Sequence, residues 1–148
     1  MLTQLIAHDK EVFDINFSPN VNVFATVGAD GSLRKFDSRD LSKSDIIYEH
    51  SNPILRLSWN KNNENYIAFI SSQKNFVTVI DIRKPFIPAC RLYYHSQALN
   101  NITWAPNSAQ YICSVGDDKK ALIWDLDNAN AEICNPVLNY DADQAISS

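Results

Sequence analysis

Phe36-Asp37, Ile80-Asp81 and Trp124-Asp125 stand 44 residues apart, twice. The chain's three histidines, His8, His50 and His95, recur upstream of these pairs at intervals of 42 and 45 residues. Each therefore sits at the same point of one repeated unit. Copies of one unit stack so that each touches only its neighbours along the array. A period of about 40–45 residues with an apolar-Asp pair near the end of each copy is that of four-stranded propeller blades.

Within each unit the apolar residues follow the period-two pattern of strands. The first strands are expected at Val12–Phe17, Ile54–Trp59 and Leu99–Trp104, stopped by Ser18-Pro19, Asn60-Lys61 and Ala105-Pro106. Second strands are expected at Val23–Val27, Tyr66–Ser71 and Gln110–Val115, and third strands at Leu33–Phe36, Phe76–Ile80 and Ala121–Trp124. Between them lie Gly28-Ala29-Asp30-Gly31, Ser72-Gln73-Lys74-Asn75 and Gly116-Asp117-Asp118-Lys119, the residue types of tight hairpin turns. Fourth strands are less regular, near Ile46–Tyr48, Ala89–Tyr93 and Pro136–Tyr140, with Pro85, Pro88 and Pro136 suited to loops or edges. Leu2–Ala7 reads as the last strand of a preceding blade, and Asp127–Glu132 is the one helix-like stretch. The expected fold is all-β: three four-stranded blades plus a leading strand, with units at about 8–49, 50–94 and 95–140 and residues 141–148 entering a next unit.

Composition narrows the function. A hydrophobic fraction of 45% over 148 residues supports a packed core. A net charge of −4 and scattered Lys and Arg give no electrostatic footprint for nucleic acid. No apolar run approaches the ~20 residues of a membrane helix. The opening MLTQLIAHDK is too short and polar for a secretory signal, so the expected place is the cytoplasm, the nucleus or both. Cys90, Cys113 and Cys134 are odd in number and too widely spaced for zinc, which suits reduced thiols. No cofactor or metal is implied. The only glycines, at 28, 31 and 116, sit in turns, with no phosphate-cradling loop. The His…Asp pairs recur at the repeat period, and a catalytic site would not be copied once per blade. The expectation is therefore a protein that is not an enzyme.

The residues at these repeated points resemble those of a WD40 repeat array. In that family a His before the first strand, a Ser or Thr in the second, an Asp in the second turn and a Trp in the third form a buried hydrogen-bonded chain. The indole N–H donates to the hydroxyl, the hydroxyl bonds the imidazole, and the Asp fixes the imidazole tautomer. The third unit carries the whole set: His95, Ser114, Asp118 and Trp124. The first keeps His8, Thr26 and Asp30, with Phe36 in place of Trp. The second keeps His50, with Ile80 and Lys74 at the Trp and Asp positions, and should depend on packing instead.

Longer segments narrow the resemblance. HDKEVFDINFS at 8–18, VGADGSLRKFDSRDL at 27–41, IIYEH at 46–50, LRLSWNKNNENYIA at 55–68 and DDKKALIWDL at 117–126 look like one WD-repeat subfamily. It includes plant regulators of anthocyanin pigmentation and epidermal cell fate, and an animal counterpart that docks kinases. The resemblance implies a scaffold that gathers kinases or transcription regulators on a propeller face. The candidate contacts there are Lys10, Glu11, Arg34, Asn52, Arg56, Gln97 and Lys119, with ordinary solvated surface as the competing reading.

A second feature points to another partner. Asp37-Ser38-Arg39 and Asp81-Ile82-Arg83 resemble the Asp-x-Arg box by which WD40 proteins join cullin-type ubiquitin ligases through their adaptor. Phe36 and Ile80 replace the box's Trp, and the third unit has Asp127 where Arg would stand. A substrate receptor of such a ligase is the alternative function, and an exposed Arg paired locally with Asp40 or its equivalent is the bland reading. The family resembled is usually a seven-bladed ring, so the chain reads as its central portion. Since propellers close with 4–8 blades, three units leave two blade faces open, and self-association is expected of the isolated chain.

Overall fold

The computed structural model describes residues 10–20, 22–49, 51–72, 74–86, 88–93, 95, 97–106, 110–125 and 138–141. These residues form twelve strands in three antiparallel four-stranded sheets. The first sheet holds β1 (Val12–Phe17), β2 (Val23–Gly28), β3 (Ser32–Asp37) and β4 (Asp40–Glu49) in that order. The second holds β5 (Ile54–Trp59), β6 (Tyr66–Ser71), β7 (Phe76–Asp81) and β8 (Pro88–Tyr93). The third holds β9 (Leu99–Trp104), β10 (Tyr111–Gly116), β11 (Lys120–Asp125) and β12 (Leu138–Asp141). Each sheet is a meander of hairpins in sequence order, as in the blade of a β-propeller. The chain is an all-β propeller fragment of three blades.

Every first strand occupies the expected range, and the second and third strands agree to within a residue at either end. The fourth strand of blade 1 differs. It runs ten residues, Asp40–Glu49, instead of near Ile46–Tyr48, and pairs with β3 through two irregularities. Its first half, Asp40-Leu41-Ser42-Lys43-Ser44-Asp45, is mostly polar and lies on an edge of the sheet, where charged side chains are tolerated. Pro88 opens β8, an edge strand, where a missing N–H is tolerated. The Leu2–Ala7 strand, the Asp127–Glu132 helix, Pro136, Cys134, His8 and His50 lie outside the described residues.

Two apolar cores hold the blades together. Between blades 1 and 2, Ala25, Val27 and Leu33 meet Ile54, Leu57, Trp59 and Phe69. Between blades 2 and 3, Ala68, Ile70, Val77 and Val79 meet Leu99, Ile102, Trp104 and Trp124. A fully buried side chain of this size contributes about 1.5–3 kcal/mol, so these faces dominate cohesion.

Polar bonds fix how the blades align. Asp14 Oδ2 accepts from Leu57 N–H at 3.1 Å, and Asn16 Oδ1 from Trp59 N–H at 3.2 Å. At the next boundary Ser58 Oγ accepts from Trp104 N–H at 3.4 Å, while the Trp104 indole donates to Ser58 O at 2.8 Å. These side chains satisfy backbone N–H groups on the open edge of the neighbouring first strand. Lys61 Nζ also donates to the Phe17 carbonyl. Because β1 and β5 advance together, the blades point the same way and their equivalent turns collect at the same end.

Candidate protein-docking site

Blade 3 carries a complete polar chain. Trp124 Nε1–H donates to Ser114 Oγ at 2.9 Å, and Ser114 Oγ lies 2.8 Å from His95 Nε2. His95 Nδ1 lies 2.8 Å from Asp118 Oδ2, and Asp118 Oδ1 accepts from Lys120 N–H at 3.2 Å. Burial pushes the His95 pKa below its usual 6.5, outweighing the opposing pull of Asp118. A neutral ring with its proton on Nδ1 then leaves Nε2 to accept the Ser114 hydroxyl. Gly116 is required beside it: a Cβ there would stand 3.0 Å from Ala98 O and 3.2 Å from His95 Nδ1.

Ser, His and Asp in this order imitate a nucleophile with its base. Ser114 is 0% exposed, however, and its oxygen already receives the indole proton. No substrate reaches it, so the cluster joins the turns of the blade to its strands. In blade 1, Thr26 is buried, and Asp30 accepts from Ser32 N–H and Oγ. In blade 2 the same register places Phe69 opposite Ser114 and Ile80 opposite Trp124, both fully buried. Among the described residues no group of three or more His, Cys, Asp or Glu could hold a metal ion.

The seven residues at the His-turn end differ in freedom. Arg34 is half-buried, with Nε on Ser32 Oγ at 3.1 Å and an ion pair to Asp30 at 3.6 Å. Asn52 Nδ2 donates to Ser72 O at 3.1 Å, tying two turns of one blade. Arg56 donates to the adjacent Leu55 carbonyl. Lys10, Glu11, Gln97 and Lys119 are exposed. Lys119 has φ 67°, a left-handed turn conformation that its counterpart Gly31 adopts at 75° without strain.

At the opposite end, β3 and β7 finish in two matching turns. Arg39 Nε donates to Asp37 Oδ1 at 2.9 Å and its terminal nitrogen to Oδ2 at 2.6 Å. Arg83 repeats this on Asp81 at 2.9 and 2.7 Å. The backbone N–H of each Arg also donates to its Asp, at 2.9 and 3.0 Å. The pairing is with the Asp of the box itself rather than with Asp40, which ion-pairs with Lys43 at 3.7 Å. The Arg39 guanidinium holds Asp37 down to about pKa 2, and Arg83 lowers Asp81 in the same direction.

These are fork-on-fork ion pairs that orient each guanidinium through two of its N–H groups, and Arg83 also bonds the Tyr66 side chain. Both guanidiniums still reach water, since the Arg39 and Arg83 side chains are 65% and 60% exposed. The turns are anchored by Ser38 N–H to Asn22 O at 2.6 Å and Ile82 N–H to Asn65 O at 2.8 Å. Between them lies a cleft of about 200 Å³ lined by Val23, Lys35, Trp59 and Ile82. In blade 3 the Arg-equivalent Asp127 lies outside the described residues, and Asp125 is buried.

Sequence reasoning did not single out Asp14, Asn16 or Ser58, the side chains that join blades. A signal existed: Asn16, Ser58 and Thr103 recur at 42 and 45 residues, the same intervals as the histidines.

Comparison with known proteins agrees with this architecture. The WD40 family (WD domain, G-beta repeat) matches residues 1–37 and 87–125, just over half of the chain. The chain is 54% identical over 142 residues to the DDB1- and CUL4-associated factor 7 homolog of Dictyostelium discoideum, covering 95% of this chain and 44% of that protein. It is 36% identical to a WD repeat-containing protein of Saccharomyces cerevisiae, covering 88% of this chain and 29% of that one. It is 40% identical to an uncharacterized WD repeat-containing protein of Schizosaccharomyces pombe, covering 84% and 33%. The chain thus spans less than half the length of the curated relatives it matches. The repeated blades and the family match together place the chain in the WD40 repeat family.

Proposed function

We propose that this chain is part of a WD-repeat adaptor that works by protein docking, without chemistry of its own, and that it joins a cullin-type ubiquitin ligase through Asp37–Arg39 and Asp81–Arg83. The observation that carries this reading is the pair of matching guanidiniums, each locked onto the Asp two residues before it and exposed at the same end of adjacent blades. Each presents remaining N–H groups to a carboxylate or carbonyl of the partner. Support also comes from the relative whose name describes it as associated with DDB1 and CUL4. Replacing both Arg39 and Arg83 with Ala should abolish co-purification with the ligase adaptor. Undiminished co-purification would refute the assignment.

A second docking function belongs to the opposite end. The exposed Lys10, Glu11, Gln97 and Lys119 give the His-turn face a polar surface suited to peptide segments. Kinases or transcription regulators are the partners that the resemblance to the plant regulators and their animal counterpart suggests. Capture of such a partner should survive the double Arg substitution, which separates the two ends experimentally.

A further inference from the structure

The chain segments that follow the two Asp–Arg forks part company after the arginine. In blade 1, Arg39 passes directly into Asp40, the first residue of β4. In blade 2, Lys84-Pro85-Phe86-Ile87 separates Arg83 from Pro88, the first residue of β8. Lys84, Pro85 and Phe86 are all exposed. Phe86, at 52%, is the one exposed large hydrophobic side chain among the described residues of blade 2. Blades 1 and 3 pack on either side of that blade, so the exposure belongs to the turn itself.

The backbone under this ring is held in place. Its φ of 68° is left-handed, a conformation that a bulky side chain rarely adopts. Such a residue persists only where its surroundings over-determine it, and such residues cluster at ligand clamps and switch regions. Here Pro85 stiffens the chain immediately before it. Phe86 N–H donates to the carbonyl of Ile47, on β4 of blade 1, at 2.9 Å. Ile47 is itself buried in the core between blades 1 and 2. Lys84 N–H donates to Asp81 O at 2.9 Å, closing the turn on the same Asp81 that grips Arg83. A ring that folding would ordinarily bury is thus kept in water on a fixed backbone.

The charges beside it select a partner. Arg83 stands three residues before Phe86, so their Cα atoms lie within about 11 Å even along an extended chain. Arg83 and Lys84 set two positive charges against the one negative charge of Asp81, and both pull its pKa down. In blade 1 the residue after the fork arginine is Asp40, so the charge there is reversed.

We infer that Phe86 is the apolar anchor of the ligase-adaptor contact. The adaptor receives the ring in an apolar pocket rimmed by a carboxylate that meets Arg83 and Lys84. This rests on the docking function proposed for Arg39 and Arg83, and it makes blade 2 the stronger of the two contacts. An aromatic ring beside an arginine is the combination that dominates interface energies. A backbone already fixed before binding has less freedom to lose.

Adaptor binding should be measured for the unaltered chain, for F86G and for R39A/R83A. Glycine takes this φ freely and keeps the N–H bond to Ile47, so melting should be unchanged or raised. Binding by F86G should fall about tenfold or more. Full binding by F86G overturns the anchor; if R39A/R83A has lost binding, the adaptor reading still stands. Loss in F86G with binding kept by R39A/R83A upholds the anchor and refutes the forks. An adaptor that ignores the unaltered chain overturns both. Should F86G melt lower or fail to fold, hydrogen exchange on the unaltered chain decides. The Lys84 and Phe86 amides must gain protection when adaptor is added, and unchanged protection contradicts the anchor.

Discussion

Blades 2 and 3 share a backbone and differ in what fills it. Blade 3 ties its turn to its strands through His95, Asp118, Ser114 and Trp124. Blade 2 sets Phe69 and Ile80 at the Ser114 and Trp124 positions and packs Tyr48 of blade 1 against Phe69 at 5.2 Å between ring centres. Their surfaces are reversed: blade 2 keeps the Asp81–Arg83 fork, while blade 3 has Asp127 at the Arg position. The fork is therefore not a by-product of the polar interior. A blade folds with either kind of interior, and the guanidinium turn forms over both the blade 1 and the blade 2 interior. That independence supports reading them as a docking feature.

The comparison can be broken from the interior outward. Phe69→Ala empties a fully buried site of blade 2 and should destabilise by about 3–5 kcal/mol, the largest single effect, read by denaturant unfolding. Asp118→Ala leaves buried His95 without its Nδ1 acceptor and should cost about 2–3 kcal/mol. Trp124→Phe keeps most of the packing and removes one donor, for about 1–2 kcal/mol. The matching Ile80→Val in blade 2 removes no hydrogen bond and should fall near the bottom of that range.

Acid should weaken blade 3 in particular. Burial holds His95 below 6.5, so between its folded pKa and 6.5 the unfolded chain binds a proton that the folded chain does not. Stability from the neutral ring is complete above pH 6.5 and declines as pH falls below it. Melting at pH 7.5 and 5.5 should show the drop, and His95→Asn should reduce it. The Asp37–Arg39 fork should persist through the same range, because its Asp is held near 2 and is lost only as pH approaches that value. The smallest stability effect is expected from Arg39→Ala or Arg83→Ala. Both side chains are mostly solvent-exposed, and surface ion pairs contribute little to folding.

The strands near each blade's centre were legible because Val, Ile, Phe and Trp alternate there and the repeat period locates them three times over. The long β4 was not, because Ser42, Lys43, Ser44 and Asp45 carry no apolar alternation on an outer edge. The His95 chain was an expectation carried by the resemblance to WD40 repeats, matched residue by residue at His95, Ser114, Asp118 and Trp124. The posture of Arg39 and Arg83 was not legible. Asp40 is adjacent to Arg39 and Asp37 lies two residues before it, and only the turn following β3 directs the guanidinium back onto Asp37. Asp14, Asn16 and Ser58 were hidden in the polar half of strand alternation, which reads as solvent-facing until a neighbouring blade supplies the N–H groups they cover.

The central claim is that the held geometry of two guanidiniums, not positive charge alone, docks the ligase adaptor. Binding of purified adaptor should be measured for the unaltered chain and for the doubly substituted R39K/R83K variant. Lysine keeps the charge but cannot form the two-pronged fork on Asp37 and Asp81. The account predicts that binding falls at least tenfold while melting is unchanged. Binding retained by the lysine variant would contradict it.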